Sequence, residues 1–440
     1  MTKKRIFQIL EIIFLIMFVV VVFKIYKGKD FNNFTLSEKN MGTSVFKRDN
    51  EQKYNDKASY NIESPDYNDA MFYESIQVKK DTPYKVTCMV KTADVESKNK
   101  SDGSGAQISV EGTTDRSMAI SGTTDWQQIE MIFNSKNKET VNVGFRLGGY
   151  VDDCKGKAWF SDFKIEEGKK EENTEWKFAC FIFNTLSTTI NGENLNYTLS
   201  NTDISDIQST IRRFESAAKT LSGDKMTASC DIYKKDTPIN TLTYDEEYGY
   251  YVAPETIGNQ IKDEIALHDY DHIFIIFKLD DKEVKDWVGL GSMDYYGVGY
   301  SNIRLSNKAR NYLYKYDSRI NRFPEEVFLH EFLHSLERTL KEYDYDIPAL
   351  HDNEKYGYKN ELAEGLKAWY EDYMTSNIKA GDKLIGLDPI VYKLKPAKES
   401  NFIESQNLGN AFYEPQNIFQ EIAQIFEKAK RNIGNMFKHD

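Results

Sequence analysis

The stretch FPEEVFLHEFLHSLER, residues Phe323 to Arg338, decides how the second half of the chain folds. Pro324 suits the first turn of a helix, and Glu325 and Glu326 suit its positively polarised N-terminal end. Apolar residues recur in and just after the stretch at the spacing of a helix that buries one face; they are Val327, Phe328, Phe332, Leu336 and Leu340. The pattern therefore predicts a helix packed on a core.

Two histidines stand four residues apart in this predicted helix, with a glutamate after the first. On a helix, His330 and His334 project from one face one turn apart, so both imidazoles can bind one Zn²⁺ ion. Glu331 can then reach a water beside the ion and act as the general base. The alternative is a core helix in which both histidines are merely hydrogen-bonded to neighbours, but such a helix gives no reason for a glutamate between them. With six histidines in the chain, this motif arises by chance on the order of a few times per thousand sequences.

A catalytic zinc needs a third protein ligand and an open fourth position. The extended motif, in which a glycine and a third histidine follow His334, is excluded because Glu337 and Leu340 stand at those places. A later helix, NELAEGLKAWYE, supplies a glutamate at Glu364, 30 residues after His334. His351 is open as an alternative ligand, since imidazole binds zinc well, and so is Glu361.

The region from His330 to about Met374 resembles known zinc peptidases. NELAEGLKAWYE is similar to the glutamate helix of gluzincins, and ELAEGL resembles the segment in anthrax-lethal-factor-like and Pro-Pro-endopeptidase metalloproteases. The resemblance implies that Glu364 is the third ligand. It also implies a tyrosine upstream that stabilises the oxyanion; Tyr356 and Tyr358 bracket that place, where Gly357 stands. Packing against the helix is an equally good interpretation of both tyrosines.

Residues 60–168 alternate in polarity over short segments separated by Gly, Ser and Asp, which predicts an antiparallel β-sandwich. The segments are MFYESIQV, YKVTCMVKT, AQISVEG, WQQIEMIFN, VNVGFRLGG and KAWFSDFKIEEG. They resemble jelly-roll carbohydrate-binding modules of the cellulose-binding CenC type, in which sugars stack on exposed aromatic rings. Candidates for that role are Phe72, Tyr73, Trp126, Tyr150 and Trp159, although Trp126 and Trp159 equally suit a β core.

The N-terminus has the features of a membrane-targeting segment. MTKKR precedes an apolar run from Ile6 to Phe23, about long enough to cross a bilayer as a helix, and no small-residue cleavage site follows it. We interpret residues 1–29 as a cytoplasmic tip and an uncleaved signal-anchor helix; a cleaved export signal is the alternative. Either places the remaining chain outside the cytoplasm. The formal net charge of −12 argues against a nucleic-acid partner.

The remaining patterns complete the predicted architecture. Residues 30–60 are polar and read as a stalk or lead-in, 169–175 as a charged linker, and 176–440 as an α/β region followed by helices. WKFACFIFNTL and YDHIFIIFKL read as buried strands, and DISDIQSTIRRFESAAKTLSG as an amphipathic helix. His268 and His272 are expected to be structural because a strand begins at His272. Export permits disulfides among Cys88, Cys154, Cys180 and Cys230, and buried free thiols are equally compatible.

The sequence thus predicts a multidomain protein. It has an N-terminal transmembrane helix, an all-β jelly-roll sandwich over residues 30–168, and an α/β zincin-like catalytic domain over residues 176–440 with a helical C-terminal part. The predicted function is a membrane-anchored, extracytoplasmic zinc metallopeptidase. Zn²⁺ is its cofactor, protein or peptide its substrate, and a glycan or glycoprotein a possible partner of the sandwich. The alternative is a cell-surface, glycan-binding adhesin with an inactive peptidase-like domain.

Overall fold

The structure, a computed structural model, describes most of the chain beyond its N-terminus. The described residues are 34–99, 103–149, 151–190, 192–265, 269–280, 287–306, 324–359 and 363–408, without the side chains of 363–365. The predicted membrane helix over residues 6–23 lies outside them. Within these ranges, no helix combines the length and the apolar character that crossing a bilayer requires.

The first part of the chain folds into two antiparallel sheets. One has the order β1-β4-β8-β6, and the other the order β2-β3-β9-β5-β7. The strands are β1 (Thr35–Glu38), β2 (Val45–Tyr54), β3 (Lys57–Asn68), β4 (Ala70–Gln77), β5 (Pro83–Ser97), β6 (Gly105–Val110), β7 (Gly122–Asn134), β8 (Thr140–Gly148) and β9 (Cys154–Glu167). The predicted β-sandwich is therefore confirmed, and each of the six predicted strand segments lies in one of β4 to β9 or extends at most two residues beyond its C-terminal end.

Side-chain alternation explains how the two sheets pack. Along β5, Tyr84, Val86, Cys88 and Val90 are buried in the core between the sheets, while the residues between them are less buried and lie on the opposite face. Residues 30–60 were expected to be a stalk or the lead-in to the sandwich; they are not a stalk, because β1, β2 and the start of β3 belong to the sandwich, as its predicted span of 30–168 requires. Strand β2, VFKRDNEQKY, could not be recognised from its sequence, because an edge strand has little buried surface and tolerates polar residues on both faces.

The second part of the chain is built on a five-stranded sheet of order β13-β10-β16-β18-β17. Its strands are β10 (Glu175–Phe183), β13 (Thr227–Lys235), β16 (His272–Lys278), β17 (Gly289–Tyr295) and β18 (Val298–Leu305). The first four strands of that order are parallel, and the edge strand β17 runs antiparallel to β18. Two hairpins flank the sheet: β11 (Thr185–Ile190) with β12 (Glu193–Thr198), and β14 (Thr243–Asp245) with β15 (Gly249–Tyr251).

Helices cover this sheet. They are α1 (Asn201–Leu221), α2 (Pro254–Ile261), α3 (Glu326–Glu342) and α4 (Ala363–Met374). Helices α1, α3 and α4 share one apolar core with the sheet, whereas α2 and the hairpins pack in the other core. Strands β10 and β16 are buried on both faces, as continuous apolar runs in parallel strands predict. The two buried strands and the amphipathic helix are therefore confirmed, the last as α1 with a capping box at Ser200.

The C-terminal part differs from the prediction. After α4, the described residues form the hairpin of β19 (Ile378–Ala380) and β20 (Lys383–Ile385), then two 3₁₀ turns and β21 (Gln406–Asn407). Pro389 and Pro396 interrupt this segment, and a proline ring cannot continue an α-helix interior. The expectation of further α-helices is therefore wrong up to residue 408, and residues 409–440 lie outside the described ranges.

The segment that follows these turns returns to the sandwich. Strand β21 pairs antiparallel with the end of β9, and Phe402 packs against Ile132 on the outer face of the larger sheet. Lys85 donates to Glu399 at 2.6 Å. Residues 169–175, predicted to be a charged linker, also contact this segment: the Lys169 amide donates to the Asn401 carbonyl at 2.8 Å. The four cysteines are buried free thiols.

Candidate metal centre

Helix α3 carries the predicted metal site. Its apolar stripe of Phe328, Phe332, Leu336 and Leu340 is buried against the sheet, which confirms the helix that the sequence predicts. His330 and His334 are off this stripe, with 23% and 21% of their side chains exposed. The helix therefore presents both imidazoles at the rim of the core, where solvent can reach them.

A third histidine joins them from the loop after α3. The Nε2 atoms of His330 and His334 are 3.0 Å apart, and the Nε2 atom of His351 lies 3.1 Å from each of them. Among the described residues, these three side chains form the one group with the arrangement of metal ligands. Three imidazole nitrogens thus converge on one point at the protein surface.

Hydrogen bonds orient the ring of His330. The Tyr370 hydroxyl, on α4, donates to Glu326 Oε1 at 2.5 Å, and the same hydroxyl lies 2.7 Å from His330 Nδ1. Because the hydroxyl proton is committed to the carboxylate, the hydroxyl oxygen accepts the Nδ1 proton of His330. The Nε2 atom then keeps a bare lone pair directed at the other two imidazoles, as a metal ligand requires.

Burial favours the neutral form of two of the imidazoles, His330 and His351. Burial, followed by the neighbouring His334 and His351, lowers the pKa of His330 to about 3. Burial and then His334 also lower the pKa of His351. Neutral imidazole is the form that binds a metal ion, so these two rings can act as ligands across the physiological range.

A carboxylate stands behind His334. Glu337 Oε2 lies 3.6 Å from His334 Nδ1, and the Leu350 amide donates to the same oxygen at 3.3 Å. Burial works to raise the pKa of Glu337, but His334 and the nearby Lys341 outweigh it and hold that pKa at about 2. Glu337 is therefore ionised, and its charge favours a proton on Nδ1 of His334 and a free Nε2.

The spacing of the three nitrogens suits zinc. Nitrogens 3.1 Å apart share a centre about 1.8 Å from each (3.1 Å/√3), so one ion just off their plane can reach all three at the usual Zn–N distance of about 2.0–2.1 Å. Three imidazoles with a solvent-facing side are a donor set of catalytic zinc sites. His351, which the sequence left open as an alternative ligand, is the residue that lies beside His330 and His334.

The other predicted ligands have a different outcome. Glu364 belongs to α4, but its side chain lies outside the described residues, so its role stays a prediction. Glu361, His268, Tyr150 and the tail residue His439 also lie outside them. His272 begins β16, as expected, and is buried with its Nε2 atom 3.0 Å from Ser301 Oγ.

Glu331 lies against the edge strand β17. A Cβ atom built on Gly289 would stand 2.3 Å from Glu331 Oε1, and one on Gly291 would stand 2.8 Å from Glu331 Oε2. Only glycines leave room for the carboxylate here. Burial, and next the neighbouring Glu326, raise the pKa of Glu331 well above its usual range against a hydrogen bond from the Gly291 backbone. Burial thus favours the protonated form of Glu331.

Its position just before the histidine helix predicts that GVGYSNIRL is the edge strand along the site and that Gly297 and Gly299 let a peptide come close. The structure places another strand at that edge. GVGYSNIRL forms β18, which lies between β16 and β17, and the sheet edge is β17. Gly297 adopts a positive φ of 90° in the turn between them, and Gly299 packs on the His272 ring. The expectation that these two glycines admit a peptide is therefore wrong. Strand β17 carries a β-bulge between Leu290 and Met293 beside the histidine helix.

The two tyrosines proposed for oxyanion stabilisation make other contacts. Tyr358 donates to Asp372 Oδ2 at 2.5 Å, and its ring packs on Trp369. Tyr356 stacks on Trp369 with ring centres 6.3 Å apart. The tyrosine that contacts His330 is Tyr370. Its hydroxyl partner Glu326 did carry a signal, because it precedes His330 by four residues on the same helix.

A cavity of about 330 Å³ opens beside the cluster. His334 and His351 line one side, and Ser292 of the β17 bulge, Arg338 and Leu350 line others. Ser292 has a positive φ of 61° and donates from Oγ to the His334 carbonyl at 3.3 Å. The cavity therefore connects the imidazoles with the sheet edge.

The aromatic candidates of the sandwich divide into two groups. Phe72 is fully buried in the core, and Tyr73 is partly buried. Trp159 is 9% exposed on the face of the larger sheet that points away from the core, where its Nε1 atom donates to Asp49. Trp126 is partly exposed, with its ring 5.8 Å from that of Tyr54.

Comparisons with known proteins give structural neighbours only. No known protein family matches the sequence, and no curated protein does. Solved structures similar to about a third of the chain include TmCBM61 in complex with β-1,4-galactotriose (12% identity, 32% of this chain, 92% of that chain, TM-score 0.22). Another is the K1 cleaved adhesin domain of Lys-gingipain from Porphyromonas gingivalis W83 (14%, 31%, 95%, 0.22).

A third neighbour is the enzymatically active domain of tailspike protein 4 from bacteriophage CBA120 (11% identity, TM-score 0.24). It is matched over 31% of this chain but only 19% of its own length. With identities this low and TM-scores far below 0.5, none of these likenesses carries an inference about what this chain does.

Proposed function

We propose that this chain is a zinc-dependent metallopeptidase, and that His330, His334 and His351 hold the ion. The convergence of their three Nε2 atoms at 3.0–3.1 Å carries the proposal. The orientation of His330 by Tyr370 and the ionised Glu337 behind His334 support it, because such outer partners are characteristic of metal-binding imidazoles. The proposed anchor, residues 6–23, would hold the enzyme outside the cytoplasm at the membrane.

A zinc ion bound there would supply Lewis-acid polarisation of a carbonyl and an acidified water. The chain's own residues do the rest. Glu331 accepts the proton of the attacking water and returns it to the leaving amine. Gly289 and Gly291 leave the space in which its carboxylate sits, and burial among them favours the protonated form that the second transfer needs.

The peptide substrate is inferred from the sheet edge. Strand β17 is the edge strand on the side of the sheet beside the histidine helix, so its outer backbone groups can pair with an extended chain laid there. The cavity between the bulge and His351 can take one side chain of that substrate. No covalent intermediate with the protein is required, because water is the nucleophile.

The test uses the full chain, because the sandwich and the α/β part are joined by hydrogen bonds and ion pairs. We expect about one zinc per chain by elemental analysis and cleavage of a peptide library. Glu331→Gln should keep the zinc and reduce cleavage by about 10²–10⁴-fold, the usual contribution of a general base. Glu371→Gln, at an exposed position of α4, is the matched control and should change neither. Zinc-free protein, or full activity in Glu331→Gln, would refute the proposal.

Glycan binding by the sandwich is a second candidate function. Trp126 and Tyr54 stand partly exposed 5.8 Å apart, and Trp159 lies on the face away from the core. Such rings can stack on sugars. A glycan array probed with the full chain tests this, with Trp126→Ala expected to abolish any signal. Silence on the array, or binding unchanged by Trp126→Ala, would leave the sandwich without this role.

A further inference from the structure

The sandwich contacts the α/β part close to the candidate centre. The connection between β6 and β7 reaches the C-terminal end of α3, where the Thr114 amide and hydroxyl both donate to Glu342 Oε2 at 3.2 Å. Arg338 donates to Thr114 Oγ1 at 2.9 Å, and Tyr343 donates to Asp115 Oδ2 at 2.5 Å. A loop of the sandwich is thus bonded to the helix that carries His330 and His334.

Arg116 extends this loop into the interior. Its side chain is 6% exposed, and it donates to Asp294 Oδ1 at 2.9 Å and to Glu255 Oε1 at 3.0 Å. Gly103, from another sandwich loop, also lies against Glu255, since a Cβ built there would stand 2.4 Å from Glu255 Cγ. Two separate positions of the sandwich therefore converge on the same acidic pair.

Asp294 connects this arginine to the centre. It lies in β17, three residues after Gly291, and both its carboxylate oxygens accept the Gly297 amide at 3.1 Å. It also lies 3.7 Å from Arg338, which follows His334 by one helical turn. One carboxylate thus joins the sandwich, the edge strand beside Glu331 and the histidine helix.

We propose that Arg116 is a positioning residue for the candidate centre, and that the sandwich is part of the support of the catalytic site. A guanidinium held by two carboxylates at a buried place has a fixed direction. Removing it takes from Glu255 its cation and leaves Asp294 with the more distant Arg338, 3.7 Å away. The strand β17 would then lose the charge that holds its bulge against α3. The catalytic consequence rests on the proposed function, whereas the effect on β17 does not.

The experiment compares Arg116→Gln with Lys85→Gln in the zinc-loaded full chain, purified in detergent. Lys85 makes another contact between the two parts, with Glu399, and serves as the matched control. Hydrogen–deuterium exchange over residues 287–296 should become at least about tenfold faster in Arg116→Gln than in Lys85→Gln. Zinc content should stay unchanged in both. On a cleaved peptide, Arg116→Gln should raise KM about five- to tenfold with kcat within about twofold, because the edge strand binds substrate.

Several outcomes would overturn the proposal. Exchange in β17 that rises no more than exchange in β16 would show a general loss of stability. Equal effects in the two variants would assign the change to the loss of any contact between the parts. If Arg116→Gln does not fold, Asp294→Asn tests the same link from the other side. If the wild-type chain cleaves no peptide, the proposed function fails, and the exchange comparison still decides whether Arg116 holds β17.

Discussion

Replacing Tyr370 by Phe removes one oxygen atom from behind the candidate metal centre. That hydroxyl is buried, lies 2.7 Å from His330 Nδ1 and donates to Glu326 at 2.5 Å. The substitution leaves the aromatic ring in place, so packing against α3 persists. What is lost is the group that keeps the proton on Nδ1 and the lone pair on Nε2 of His330.

The magnitude follows from the role of such partners. Loss of an outer hydrogen bond to a metal-binding imidazole typically reduces metal affinity about 10–100-fold, which corresponds to about 1.4–2.7 kcal/mol of binding free energy. The buried Nδ1–H of His330 also loses an acceptor, at a cost of about 1–3 kcal/mol in the free energy of unfolding. We therefore expect weaker zinc binding together with a lower thermal midpoint.

The assay is a zinc competition titration against a chromogenic chelator. Tyr373→Phe is the matched control, because this buried tyrosine of the same helix donates to the Pro348 carbonyl at 3.2 Å. It should lower stability without changing zinc affinity. An unchanged zinc dissociation constant in Tyr370→Phe, or an equal loss in Tyr373→Phe, would refute the reasoning.

Three further outcomes are expected. His351→Ala should abolish stoichiometric zinc binding whereas Glu364→Ala should retain it, as measured by elemental analysis; the reverse result would restore Glu364 as the third ligand. Gly289→Ala should keep the zinc and lower peptide cleavage at least about tenfold, because its Cβ would displace the Glu331 carboxylate; unchanged kcat would contradict this. Burial, and then Arg338, lower the pKa of His272 to about 3, so its neutral form stabilises the fold above pH 6.5 and that stability is lost as pH falls. Between pH 7.5 and 5.5 the wild type should lose about 1.4 kcal/mol more unfolding free energy than His272→Gln, by denaturant titration, and parallel pH profiles would contradict this.

The elements predicted well are those whose pattern is set locally. Strands β10 and β16 are continuous apolar runs, and α3 repeats its apolar residues at helical spacing, so burial of one or both faces explains them without tertiary information. Strand β2 was not predicted, because an edge strand buries too few side chains to leave an apolar pattern in the sequence. The sheet edge was misplaced for a related reason: β17, GLGSMDY, is glycine-rich and broken by a bulge.

The site residues that lie on one helix were predicted from the sequence, whereas those that come from later segments of the chain were not. His330, Glu331 and His334 are placed by a single helical turn. His351 reaches them from a loop after α3, and Tyr370 from a different helix, so only the packing of that loop and of α4 against α3 brings these groups together. Sequence spacing contains no measure of that packing. The sequence could name His351 as one of a few imidazoles available as a third ligand, but it could not show that His351 lies beside His330 and His334.

The return of residues 395–407 to the sandwich sets an order of events during synthesis. A chain emerging from its N-terminus completes β9 long before β21 exists, so Ile132 stays uncovered until Phe402 arrives. Lys398, which pairs with the buried Asp271 at 3.0 Å, arrives equally late. Neither half reaches its final state before residues 398–402 have been made. A newly made chain is therefore open to aggregation and proteolysis during an interval in which the residues of the histidine helix have been made and the closing segment has not.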